Sequence, residues 1–297
     1  AVRILHERGV VDDHAVARRG LEIHGVHTHA VRNDHPQLRR GIEHAFGERV
    51  GGNHDGRSTG HQVDQLGFGR SDKPHVPEAY VMDTLVSDVL AVLDHLGLLC
   101  RIFPELAAAK GVEQPREHYW DVWGHSLHAV ESAELVTKGH QNSPIFTQVP
   151  WNAESEQYFN QEVSDGHTRR TILKLAALFH DIAKPQTKKM DDTGRTRFLG
   201  HPEQGAAMAA TRMGQMRFSS RGIAMVSKMV EHHLRPMHMK QGVDVPSRRA
   251  VYRYFRDVGD VAIDTLYLSL ADHLAAKGPE LSTEEWIGHA RMVAYVL

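Results

Sequence analysis

The stretch Ile172-Leu-Lys-Leu-Ala-Ala-Leu-Phe-His-Asp-Ile-Ala-Lys-Pro185 decides the reading of this chain. Ile172, Leu175, Ala176, Phe179 and Ile182 recur at helical spacing and make an apolar stripe. His180 and Asp181 interrupt that stripe with two ionisable groups, and an ionisable pair beside a buried face needs compensation. Pro185 has no amide proton and stops the helix, so the spacing predicts a central helix over 168–183.

Working outward, other polar groups stand among residues that should be buried. The doublet His232-His233 follows the segment Val226 to Val230, and Asp272 sits inside Leu266-Tyr-Leu-Ser-Leu-Ala-Asp-His-Leu274. His125 lies beside the stripe of Trp120, Trp123, Leu127 and Val130. With His201, the order is His125, His180-Asp181, His201, His232-His233, Asp272. Imidazole nitrogens and carboxylate oxygens suit Mg²⁺, Mn²⁺, Fe²⁺, Ni²⁺ or Zn²⁺, and helices can gather ligands this far apart in sequence. A shared divalent metal site explains these interruptions better than separately satisfied polar defects.

The rest of 99–297 reads as an all-α bundle. A short turn or helix is expected over 103–110 and helices over 119–138, 202–216, 219–233, 247–257, 260–277 and 283–297. The segment 142–166 reads as a polar loop, and 188–198 as a small β-hairpin around Asp191-Asp-Thr-Gly194. Residues 1–63 differ: they hold nine of the 23 histidines and nine arginines, no lysine and one aromatic, Phe46. No amphipathic period persists there, so a poorly structured or non-native N-terminal region is expected.

Composition sets bounds. With 297 residues, 41% of them hydrophobic, the chain can bury a real core. No apolar run is long enough for a bilayer span and no signal-peptide layout is present, so no membrane association and a cytoplasmic location are expected. The single cysteine, Cys100, excludes an internal disulfide and a cysteine-based zinc site. A net charge of −2 argues against whole-molecule attraction to nucleic acid. Locally, 184–221 carries eight Lys/Arg against three acids.

The order His125, His180-Asp181, Asp272 resembles the HD superfamily of metal-dependent phosphohydrolases, and Phe179-His-Asp-Ile-Ala-Lys-Pro185 is very close to its signature. Ala183 stands where glycine is common, which a helix tolerates. Phe103-Pro-Glu-Leu106, Gly111-Val-Glu-Gln114, Asp121-Val-Trp-Gly-His125, Asp192-Thr-Gly-Arg195, Phe198-Leu-Gly-His-Pro-Glu203 and Arg217-Phe-Ser219 resemble the HD domain attached to bacterial tRNA nucleotidyltransferases and poly(A) polymerases. That resemblance covers 99–297. No nucleotidyltransferase head is legible, so tRNA end addition is not expected of this chain.

The resemblance implies that His125, His180, Asp181 and Asp272 ligate a first metal, with His201 and His232 or His233 completing a second site, hence one or two ions per chain. Asp181 would orient the attacking water and Lys184 would neutralise developing phosphate charge. Arg195, Arg197, Arg217 and Arg221 would hold phosphates of a nucleotide or RNA substrate.

Two alternatives use other residues or another chemistry. Asp64-Gln-Leu-Gly-Phe-Gly-Arg-Ser-Asp-Lys-Pro74 and an expected helix over 84–96 resemble the loop and first helix of an α/β-hydrolase. Gly124-His-Ser-Leu-His128 imitates the nucleophile elbow of that fold, which would make Ser126 an esterase nucleophile. The second alternative is a non-catalytic, metal-containing RNA-binding module.

Overall fold

The computed structural model describes residues 22–23, 26–27, 48–50, 61–63, 93–94, 97–115, 117–138, 145–239 and 245–297. The chain divides into two compact units between Ile102 and Phe103. In the first unit, β1 (Glu22–Ile23) pairs antiparallel with β2 (Val26–His27), and β3 (Glu48–Val50) with β4 (His61–Val63), in the register Arg49↔Gln62. Helix α1 (Leu98–Ile102) ends this unit. The other residues of 1–63 lie outside the described residues. So does almost all of 64–98, including the expected helix over 84–96 apart from 93–94.

The second unit is a helical bundle built around α4 (Arg169–Phe179). Thr168 caps it, its hydroxyl accepting from the Thr171 amide. Around α4 pack α2 (Val122–Val136), α7 (Ser220–His232) and α10 (Ala262–Lys277), while α6 (His201–Gln215) lies mainly on α7. Because neighbours cover several faces of α4, burial is wider than one stripe. Leu173 and Ala177 are fully buried with Ile172, Ala176 and Phe179, and Leu175 is only half-buried. The same holds for α10, where Leu266, Leu268 and Leu270 are all fully buried although they cannot share one helical face.

Helix boundaries differ from expectation where side chains or tighter turns intervene. Helix α2 begins at Val122 because Asp121 caps it: Oδ1 accepts from Gly124 N at 2.7 Å, and Oδ2 from Gly111 N at 2.7 Å. Helix α4 ends at Phe179, and 180–183 wind on through tighter bonds, Ile182 N to Phe179 O and Lys184 N to Asp181 O. Pro185 then sits in the first turn of α5 (Lys184–Thr187), where a missing amide costs nothing.

The segment 142–166, expected as a loop, contains more. It holds a 3₁₀ turn at Phe146–Gln148, α3 (Ala153–Phe159) and the first strand of a hairpin, β5 (Glu162–Ser164) with β6 (His167–Thr168). Helix α3 is capped by the Asn152 side chain, which accepts from Ser155 N at 2.8 Å. The expected hairpin over 188–198 is present as β7 (Lys188–Met190) paired with β8 (Thr196–Phe198). Helices α8 (Arg235–His238), α9 (Arg248–Val258) and α11 (Thr283–Val296) complete the unit. Among the described residues, no helix is long and apolar enough to cross a membrane.

One buried ion pair ties three elements together. Arg169 on α4 donates to Asp264 Oδ2 on α10 at 2.7 Å, and Tyr158 on α3 donates to the same oxygen at 2.6 Å. Removing one partner strands the other charge in the interior. Arg169→Met is therefore expected to lower the unfolding free energy by ~3–5 kcal/mol, read by urea or thermal unfolding.

Candidate metal centre

Five helices or helix ends contribute to one cluster. His125 comes from the first turns of α2, His180 and Asp181 from the end of α4, His201 from the first position of α6, His233 from the residue after α7, and Asp272 from α10. All but Asp272 are buried, and the Asp272 side chain is 20% exposed.

Asp181 is the hub. Its Oδ2 stands 3.3 Å from His125 Nε2 and 3.1 Å from His180 Nε2. Its Oδ1 stands 3.3 Å from His201 Nε2 and 3.8 Å from His233 Nε2. Asp272 Oδ1 closes the first group at 3.1 Å from His125 Nε2 and 3.6 Å from His180 Nε2. Two ligand sets thus share one carboxylate, His125, His180 and Asp272 on one side, His201 and His233 on the other. In each set the donor atoms lie within 4.8 Å of one another.

The backbone fixes the tautomers. His180 Nδ1 lies 2.8 Å from Ala177 O, His201 Nδ1 2.7 Å from Phe198 O, and His233 Nδ1 2.7 Å from Val230 O. A carbonyl oxygen only accepts, so each Nδ1 carries the hydrogen and each neutral ring presents a bare Nε2. His201 and His233 then face each other at 3.3 Å, lone pair to lone pair, an arrangement that a cation between them relieves. Both oxygens of Asp181 are buried without a well-formed hydrogen bond. Anchored imidazoles whose far nitrogens converge on a buried carboxylate form a donor set that could hold a divalent metal.

The protonation pattern shows the same demand for positive charge. Burial opposes a proton on His180, but the Asp181 and Asp272 carboxylates overcome it and push its pKa up to about 10. Burial also opposes the charge of Asp181, yet His180 and Lys184 hold it well below the usual carboxylate range. His233, buried and next to His180, is pushed down to about 3.

Lys184 is placed at the cluster. It is 6% exposed, its Nζ lies 2.7 Å from Asp181 Oδ2, and it donates to Gln114 Oε1 at 2.6 Å. His232 is not brought in: it is half-buried beside the cluster residue His233, and belongs to none of the ligand groups among the described residues. The four arginines are exposed. Arg197 donates to Asp191 Oδ2 at 2.9 Å on its own hairpin, and Arg221 to Val163 O at 3.5 Å.

His118 and Gln114 were not foreseen. His118 joins His125 and Asp181 in a third group of donors, with its ring edge-on to His125 at 5.1 Å. Burial and then Lys184 push its pKa down to about 3. It precedes α2, so helical periodicity could not place it; the bond from Tyr119 N to Ala276 O, which pins the segment to α10, does.

Ser126 does not form a nucleophile elbow. It lies inside α2, 1% exposed, and its hydroxyl donates to Val122 O at 2.9 Å, so it faces the helix backbone instead of a strand-end cleft. His128, which broke the elbow pattern, stacks on Trp120 instead.

A family model described as the HD domain matches residues 122–277, just over half the chain and every cluster residue except His118 and Gln114. The CC-adding tRNA nucleotidyltransferase of Thermus thermophilus is 32% identical over 200 residues, covering 67% of this chain and 38% of that protein. The A-adding tRNA nucleotidyltransferase of Deinococcus radiodurans is 29% identical over 194 residues, 65% of this chain and 36% of that one. A bifunctional uridylyltransferase/uridylyl-removing enzyme of Xanthomonas campestris is 28% identical over 196 residues, 65% of this chain and 20% of that one. The matched part of this chain thus spans well under half the length of these relatives.

The geometry separates the two adjacent histidines. His233→Ala is expected to weaken uptake of Mn²⁺ or Zn²⁺ by at least the ~10–100-fold that loss of even a supporting partner costs, while His232→Ala leaves it unchanged, as read by calorimetric titration.

Proposed function

The chain belongs to the HD domain family, and from that premise we propose that it is a metal-dependent phosphohydrolase acting on a phosphate ester of a nucleotide or an RNA end. The observation that carries this reading is the division of Asp181, with Oδ2 beside His125 and His180 and Oδ1 beside His201 and His233. His125, His180, Asp181 and Asp272 would hold one divalent ion, and Asp181, His201 and His233 a second. Such ions supply Lewis acidity towards a phosphoryl oxygen and a supply of hydroxide near neutral pH.

The protein's own groups do the rest. Asp272, the most accessible of the ligands, supports entry of the phosphate from its side. Lys184 brings a positive charge to within 2.7 Å of Asp181, and its bond to Gln114 restrains the amine from swinging away. A fixed ammonium in a dry site stabilises charge that develops on a phosphoryl oxygen without reorganising during the reaction. Arg195, Arg197, Arg217 and Arg221 are proposed contacts for phosphates flanking the reacting one, and their exposure supports a peripheral role. The names of the tRNA nucleotidyltransferases support an RNA substrate, that of the uridylyl-removing enzyme a nucleotidyl phosphodiester.

A panel of phosphomonoesters, 2′,3′-cyclic and 3′,5′-cyclic nucleotides tests the reading. Turnover is expected on at least one class, to vanish on chelation and to return with added metal. Asp181→Ala is expected to lose metal and turnover together, because it removes the shared ligand. Full metal content with no turnover on any class would overturn the enzymatic reading in favour of a structural ion.

Lys184→Met should keep bound metal yet lower kcat by about 10²-fold, the cost of losing one charge-stabilising donor. Ser126→Ala should stay within a few-fold of the parent enzyme, since its hydroxyl is already committed to Val122 O.

A further inference from the structure

Outside the metal centre, α8 and α9 enclose an open groove of about 810 Å³, within the range of ligand-binding clefts. Its walls carry Arg235, Arg249, Arg253 and Arg256, opposed among the lining residues by one acid, Asp257. Asp257 is already shared between Arg235 at 2.8 Å and Arg256 at 2.7 Å. Arg249 and Arg253 are exposed and make no ion pair with any described residue, so among the described residues nothing offsets their positive charge.

The sequence of α9 adds a second, independent feature. Arg249, Tyr252, Arg253 and Arg256 fall at i, i+3, i+4 and i+7 and share one face. Tyr254 and Val258 on the other side are fully buried, yet Tyr252 is 67% exposed. A large aromatic ring held in water, between arginines on a rigid helix, is unsuited to an apolar partner. It suits a base: stacking on an aromatic face is tolerant of sequence, while arginines track the phosphates.

We propose that the α8–α9 groove, together with the adjoining exposed face of α9, is a binding site for a single-stranded polynucleotide, with its phosphates on Arg249 and Arg253 in the groove and a base stacked on Tyr252, which lies on α9 outside the groove lining. The site is separate from the metal cluster but close to it in the chain, because Arg235 follows the cluster residue His233 by two positions. It binds a strand through surfaces the hydrolytic reading does not use, and it holds whether or not that reading does.

The test is fluorescence anisotropy of the full chain with a labelled single-stranded RNA of mixed sequence, in buffer without added metal, so that no turnover is needed. Arg249→Gln with Arg253→Gln should weaken binding and flatten the plot of log K against log salt by about 1.4, two contacts at the single-strand slope. Tyr252→Ala should weaken binding by about 5- to 100-fold. Tyr252→Trp should retain it, which separates stacking from any loss of fold. Equal affinity in the double arginine variant would overturn the proposal, as would an unchanged Tyr252→Ala or equally tight binding of duplex RNA. Competition by inorganic tripolyphosphate as effective as by unlabelled strand would also overturn it, leaving a simple anion pocket.

Discussion

A carboxylate buried among imidazoles is the constraint on which the rest of this bundle depends. Asp181 is 1% exposed, and neither of its oxygens makes a well-formed hydrogen bond. An ionised carboxylate in such surroundings costs several kcal/mol unless positive charge faces it. Lys184 supplies one such charge at 2.7 Å. The imidazoles of His180, His201 and His233 present lone pairs to it, which compensate a carboxylate only when a cation or proton stands between them. The raised pKa of His180 is the protein's own substitute, since a proton there occupies part of the space that suits a metal. A metal bound here would therefore compete with that proton, and its uptake would be coupled to the stability of the helices that carry the cluster.

The surrounding packing serves that geometry. His201 and His233 reach Asp181 from two helices, α6 and α7, that must run close together. Gly205 allows it: a Cβ there would stand 3.2 Å from Val230 Cγ1 and 3.6 Å from Ile182 Cγ2. Val230 is also the residue whose carbonyl anchors His233. At the other end of the hairpin, Gly200 has φ +77°, a turn that glycine makes at little cost and that starts α6 at His201. Asp121 binds both the start of α2 and Gly111, which fixes where His125 enters. His180, His201 and His233 are each anchored by a backbone carbonyl independently of any ion, a condition for a preorganised site.

Charge on the outer surface is distributed differently from charge within. The basic run 184–221 looks like a phosphate-binding surface in sequence, but Arg212 is half-buried and paired with Glu105, Arg197 is satisfied by its own hairpin, and Arg195, Arg217 and Arg221 are exposed. Three arginines of α9, Arg249, Arg253 and Arg256, line one groove, and two of them make no ion pair among the described residues. Positive residues clustered along a chain need not cluster in space, because a hairpin and a helix end turn them in different directions.

The sequence by itself determined the helical class, the central helix and most of the members of the buried His/Asp cluster. It could do so because a polar group inside an apolar stripe is costly, and several such groups in one chain are most cheaply satisfied together. It could not choose between His232 and His233. Met225, Met229 and His232 continue one apolar line of α7, and Val226, Val230 and His233 continue the next, so periodicity admits both. Only the packing of α7 on α4 and α6 turned His233 inward. Nor could it find His118 or Gln114, whose places are set by a backbone bond to α10 and by the reach of Lys184. The fate of Ser126 was likewise a tertiary matter: the same five residues read as an elbow or as a helix until Asp121 capped them as a helix. Local pattern records which residues must be buried or paired; which partner each one meets is decided when helices distant in sequence are pressed together.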